Sequence, residues 1–207
     1  MPGRSATLPI TIAAKARGGE TVSAAPSRNR PRTRYIRAMA EAFNDKTLAP
    51  GFLNQDKAVR YAEVADEIAS VLDGETNLTA RMATVASMLA SSFDHYFWTG
   101  FYVVDPTKDR ELVVGPYQGT LGCLRIAFGR GVCGAAAETG QTQLVPDVHA
   151  FPGHIACDSR SESEIVVPVF DAAGKLLAVF DVDSDKPASF DAVDQQGLEK
   201  ILKATFG

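Results

Sequence analysis

An α+β domain, with a largely antiparallel central sheet flanked by helices, is the fold class that three features of this 207-residue chain predict. Two stretches with helical spacing of apolar residues come first. Short β-branched and aromatic runs follow, joined in two places by hairpin turn chemistry. One more helical stretch closes the chain.

Taken in order, Val59, Val64, Ile68, Val71 and Leu72 recur at helical spacing, predicting an amphipathic helix over Asp56–Leu72 that Gly74 terminates. Asn77 or Thr79 caps a second helix to about Ser92, with Leu78, Met82, Val85, Met88 and Leu89 on its buried side. Trp98–Val104 reads as a strand, Asp105–Asp109 as a turn and Glu111–Gly115 as the returning strand. Leu124–Phe128 is a short third strand, and Gly131–Glu138 a short alanine-rich helix stopped by Gly140. Thr142–Val145 returns to strand. Pro146–Arg160 is a long polar connection without predicted structure. Glu164–Phe170 and the strand from Leu176 to Asp183 form a second hairpin around Asp171–Gly174. Asp191 or Ser189 caps the last helix, Val193–Leu202.

Composition excludes several classes. Hydrophobic residues make up 45% and charged residues 22%, which fits a folded soluble domain rather than a fibrous or wholly disordered chain. No apolar run reaches the roughly 20 residues that span a bilayer, so no membrane partner is expected. The net charge of −4 gives no sign of nucleic-acid binding. That charge is uneven: residues 1–38 hold eight Lys/Arg and one acid, Glu20. This basic stretch is rich in Pro, Ser, Arg and Gly. It reads as a disordered extension or, given its many arginines and few acids, as an organelle transit peptide. The domain is taken to begin at residue 39. Three cysteines are an odd number and too few for a disulfide framework. An intracellular, cytoplasmic chain is therefore expected, with a mitochondrial or other organelle address as the alternative.

The residues able to do chemistry lie in the second half. Thiolates are favoured near cations and helix starts. Cys133 near a helix start and Cys157 near His154 both meet that condition, whereas free cysteines elsewhere are often small buried hydrophobes. The glycines of Gly129-Arg-Gly-Val-Cys-Gly134 match a dinucleotide pattern, but the following helix is too short and the sheet antiparallel. His149, His154, Cys157 and Asp147 lack the regular spacing of a structural zinc site, so no metal is expected. Glu164, Asp181 and Asp183 are more informative. Alternation puts Asp181 and Asp183 on one face of a strand. The hairpin folds Glu164 back beside them. Three carboxyls at one sheet end either bind a cation or share a proton at a raised pKa.

Together Trp98-Thr-Gly-Phe-Tyr102, Gly115-Pro-Tyr-Gln-Gly119, Phe128-Gly-Arg-Gly-Val-Cys-Gly134, Val145-Pro-Asp-Val-His149, Phe151-Pro-Gly-His-Ile-Ala-Cys-Asp-Ser159, Ser163-Glu-Ile-Val-Val-Pro168 and Phe180-Asp-Val-Asp-Ser184 resemble the free methionine-(R)-sulfoxide reductases, enzymes of GAF fold. The resemblance runs from about residue 55 to the C-terminus. It implies a nucleophile at Cys157, a principal resolving cysteine at Cys123 and an auxiliary one at Cys133. It also implies an acidic substrate site of Glu164, Asp181 and Asp183, and an aromatic wall at Trp98.

The expected reaction follows. A thiolate attacks the sulfoxide sulfur while an acid protonates its oxygen. The acid is assigned to a proton shared by Glu164 and Asp183, leaving Asp181 to orient the site or hold the substrate ammonium. Cys157 becomes a sulfenic acid, Cys123 closes a disulfide, and a thioredoxin-type dithiol reopens it, with no cofactor needed. A homodimer through the first helices is compatible with the resemblance. The alternatives are a GAF module sensing a small molecule or redox state, and a zinc-stabilised interaction domain.

Overall fold

The computed structural model describes residues 57–155 and 157–207. The basic stretch 1–38 and the assigned domain start at residue 39 lie outside the described residues. Helix α1 spans Lys57–Val71 and α2 Leu78–Ser92. Strands β1 (Trp98–Val104), β2 (Glu111–Gln118) and β3 (Arg125–Ala127) follow, then α3 (Gly131–Thr139) and β4 (Gln143–Val145). Strands β5 (Ser163–Phe170) and β6 (Leu176–Ser184) and helix α4 (Ala192–Phe206) complete the domain. The six strands form one sheet in the order β3-β2-β1-β6-β5-β4, and every neighbouring pair is antiparallel.

The sheet is covered on both faces. Helices α2 and α4 pack on one, with α1 laid across them. Phe101 and Phe180 anchor that side, their rings 4.8 Å apart, and Phe206 at the end of α4 meets Phe101 at 5.6 Å. Burial of Phe206 carries α4 a full turn beyond its expected end at Leu202. Asp191 caps its start through a capping box with Asp194. Lys57 binds both acids, at 2.9 and 2.6 Å, and ties the first helix to the last. The other face carries α3 and the long loops, over a core that includes Trp98, Tyr102, Leu112, Val166 and Val179. Among the described residues, no helix is long and apolar enough to cross a membrane.

Three local readings are corrected. Val59 and Val71 face solvent at 49% and 39% exposure, and Leu78 is likewise exposed. The buried stripe of α1 is Tyr61, Val64 and Ile68, because Tyr61 packs onto Gly197 of α4, where a Cβ would stand 2.3 Å from its ring. Strand β2 does not stop at Gly115. It passes through a bulge opposite Phe101, which accommodates Pro116, and re-pairs as Gly100 with Tyr117 and Thr99 with Gln118. The Pro146–Arg160 connection contains a 3-10 turn at Val148–Ala150, where the Asp147 carboxylate accepts from the His149 N–H.

Candidate active site

The sheet register brings the three acids together. Glu164 on β5 lies directly across from Asp183 on β6, and Asp183 lies across from Trp98 on β1. Asp181, two residues back, points to the same face between Val166 and Gly100. Glu164 and Asp181 are only 6% and 5% exposed. Burial, the leading cause, penalises their charged forms and raises all three pKa values, and mutual repulsion adds to this for Glu164 and Asp183. Asp181 rises to about 7.

The hydrogen bonds distinguish the three. Glu164 bonds to Asp181, and the Cys133 thiol bonds to the same carboxyl. Asp183 is met instead by Ser161. Glu164 therefore has Asp181, rather than its register partner Asp183, as its hydrogen-bonded carboxyl neighbour. The Oδ1 atom of Asp181 is buried without any partner.

Helix α3 lowers its first turn onto this cage. Glycine at 131 takes φ of 59°, and glycine at 134 packs where a Cβ would lie 2.4 Å from the Ala127 carbonyl oxygen. The close approach buries Cys133, which is 4% exposed, and its pKa is pushed well up by burial and then by the neighbouring acids. Burial and the carboxyls beside it thus act against the activation that a helix start was expected to give this cysteine.

The other two cysteines form a disulfide, Cys123–Cys157, with Cα atoms 5.3 Å apart. Cys157 lines the cavity that holds Trp98, Tyr102, Cys133, His154 and the three acids. Trp98 stacks between Tyr102 and Tyr117, and its Nε1 donates to the Thr120 carbonyl at 3.0 Å. Gly122 lets the loop lie flat on these rings, since a Cβ there would stand 2.8 Å from the Tyr102 hydroxyl oxygen. Thr120 Oγ1 donates to Asp158 at 2.7 Å, and Arg160 clamps Asp158 through two side-chain bonds, at 3.0 and 2.8 Å. These bonds hold the Asp158 carboxyl well below the usual carboxylate range. Arg160 in turn lies over the Phe97 ring at 4.3 Å. The loops bearing Cys123 and Cys157 are thereby joined beside the disulfide.

The three cysteines, Trp98, His154 and the three acids are brought to this one cavity or its disulfide, whereas Asp147 and His149 are not among its lining residues. His149 faces Glu162 at 3.4 Å, while His154 turns toward Glu164 at 3.9 Å. Sequence reasoning missed Tyr102, Thr120, Asp158, Arg160 and Ser161. The only signal for Thr120 and Asp158 was their nearness in sequence to Cys123 and Cys157.

A GAF domain family model matches residues 75–203. The free methionine-R-sulfoxide reductase of Saccharomyces cerevisiae is 43% identical over 135 residues, covering 63% of this chain and 75% of that one. The chain belongs to the free methionine-R-sulfoxide reductase family. The solved structure of the Neisseria meningitidis member, in complex with its substrate, is 49% identical and superposes with a TM-score of 0.68 over 72% of this chain and 87% of that one. A protein from Burkholderia vietnamiensis described as a putative GAF sensor is also 49% identical, with a TM-score of 0.70 over 73% of this chain and 94% of that one. The GAF fold that the sequence motifs implied is the fold observed. Family membership and the Cys123–Cys157 disulfide together make this a thiol-based oxidoreductase.

Proposed function

We propose that the chain reduces free L-methionine-(R)-sulfoxide to L-methionine, with Cys157 as nucleophile and Cys123 as resolving thiol. The observation that carries the proposal is a disulfide whose Cys157 borders a buried cage of proton-holding carboxyls. The Cys157 thiolate attacks the sulfoxide sulfur, and the S–O bond breaks as the oxygen passes to Cys157. Glu164 supplies the proton that this oxygen needs. Methionine leaves, and Cys157 is left as a sulfenic acid. The Cys123 thiol condenses with it, water departs, and the disulfide forms. A thioredoxin-type dithiol then exchanges with the disulfide, becoming oxidised as both cysteines return to thiols. Exposure of Cys157 supports access by such a partner.

Selection for the free amino acid is assigned to the two ends of the cavity. Asp181 and Asp183 receive the ammonium, and Trp98 walls the thioether. The carboxylate goes to backbone N–H groups of residues 146–155 and of the α3 start, where Arg130 provides no side-chain cap and the helix end favours an anion. Cys133 serves the cage through its bond to Asp181, with resolution of Cys157 as its auxiliary role. A sensor of small molecules alone leaves the disulfide without a task.

The test is NADPH oxidation coupled through thioredoxin reductase and thioredoxin to the free R-sulfoxide. Turnover that disappears in Cys157→Ser supports the proposal. A wild-type chain that binds the sulfoxide without reducing it would favour the sensor. Equal turnover of a peptide-linked sulfoxide would refute the selection argument.

A further inference from the structure

We infer that Cys133, Glu164 and Asp181 form a binding site for a borderline-soft divalent cation of the zinc class, and that this ion competes with the sulfoxide substrate. The binding half stands on geometry alone. The competition half rests on the function proposed above.

One ligand atom from each of the three side chains lies within 4.8 Å of the others. All three residues are more than nine-tenths buried, at 4%, 6% and 5% exposure. Among the described residues, this is the group of His, Cys, Asp and Glu side chains gathered closely enough to hold an ion. A cluster of acids would not suffice by itself. The second observation is the Asp181 Oδ1 atom, buried with no hydrogen-bond partner. Buried oxygens are nearly always satisfied, so an orphan in such a cage points to something that arrives to meet it.

The donor set selects the ion. Zinc takes thiolate sulfur at about 2.3 Å and carboxylate oxygen at about 2.0–2.2 Å in a four-coordinate shell. Ligand atoms around such an ion stand about 3.3–3.8 Å apart, within side-chain adjustment of the observed arrangement. Magnesium and calcium want six or more oxygens and gain little from sulfur. The fourth position faces the cavity and is open to water or to the reduced Cys157 sulfur. Binding releases the protons held by the thiol and the carboxyls to solvent, and two positive charges offset the repulsion among the ionised ligands. The ion then occupies the oxygens that would meet the substrate ammonium and removes the proton that the sulfoxide oxygen needs.

The experiment uses the full chain, metal-free and reduced with a phosphine, since dithiols bind zinc. Zinc is titrated against a chromophoric chelator, and cobalt(II) replaces it as a spectroscopic probe. One zinc per wild-type chain is expected, with near-ultraviolet thiolate-to-cobalt charge-transfer absorption. Cys133→Ser should weaken zinc by more than about 100-fold, since even an outer-shell loss costs about 10–100-fold. It should also abolish the charge-transfer absorption, while Cys157→Ser keeps it. Glu164→Gln should weaken zinc by at least about tenfold. Circular dichroism checks that each variant is folded. Absence of stoichiometric zinc in the wild type would overturn the site. So would charge-transfer absorption that survives Cys133→Ser and vanishes in Cys157→Ser. In turnover, buffered zinc should raise KM for the sulfoxide with kcat unchanged at saturation, and a fall in kcat at constant KM would overturn the competition. If the chain shows no sulfoxide turnover at all, the zinc and cobalt titrations still decide the site.

Discussion

Replacing Asp181 with asparagine should stabilise the fold at alkaline pH. The side chain keeps its shape and an acceptor oxygen but can no longer ionise. In the folded chain, burial lifts the Asp181 pKa from 3.8 to about 7. A carboxyl whose folded pKa is raised binds more protons folded than unfolded between those two values. Its favourable contribution is present in full below the unfolded pKa and is lost as pH rises through the folded one. The difference corresponds to about 4 kcal/mol across the whole window, of which about 2–3 kcal/mol falls between about pH 5 and pH 8. That is a large share of a domain stability of roughly 5–15 kcal/mol. Urea denaturation of the disulfide form at the two pH values, for wild type and Asp181→Asn, measures it. The advantage of the variant should widen by that amount on going to pH 8. A constant difference, or a variant that loses ground at the higher pH, would refute the reading of Asp181 as a buried and reluctantly ionised acid.

Other outcomes follow from the same cage and its loops. Glu164→Gln should lower kcat for the free sulfoxide by roughly 10²–10⁴-fold, the usual contribution of a positioned acid, in steady-state assays with thioredoxin. Cys123→Ser should still release one methionine per chain in a single turnover while its thioredoxin-coupled rate collapses; rapid-quench chromatography separates the two. Thr120→Val removes the bond to Asp158 and should slow disulfide closure after oxidation, read by thiol titration over time, with little change in the first release of methionine. A fluorescent fusion with and without residues 1–38 tests the address proposed for the basic stretch: an organelle signal that persists without those residues would contradict it.

What the sequence made legible depended on whether the relevant contacts were local. Glu164, Asp181 and Asp183 could be placed together because a four-residue turn joins their strands and alternation sets their face. The observed pairing of Glu164 with Asp183 follows that logic directly. That Glu164 bonds to Asp181 rather than to Asp183 was not legible, because α3 also brings Cys133 onto Asp181 from a distant part of the chain. Cys133 was judged by its helix-start neighbours, yet its character is set by the sheet beneath it. The Gly115-Pro116 pair looked like a strand end, but a bulge absorbs the proline. The Thr120–Asp158 bond joins residues 38 apart, and no periodicity carries that information. The pairing of Cys123 with Cys157 came from family resemblance, since spacing alone permits other pairings.

The central claim is that the Cys157 sulfur takes the oxygen of the sulfoxide. Its most direct measurement is mass spectrometry of reduced Cys123→Ser protein after one equivalent of free methionine-(R)-sulfoxide, with a sulfenic-acid trap present. The account predicts trap adduct on the peptide carrying Cys157, in step with methionine released. Methionine formed while that peptide stays unmodified, or an adduct on Cys133 instead, would contradict it.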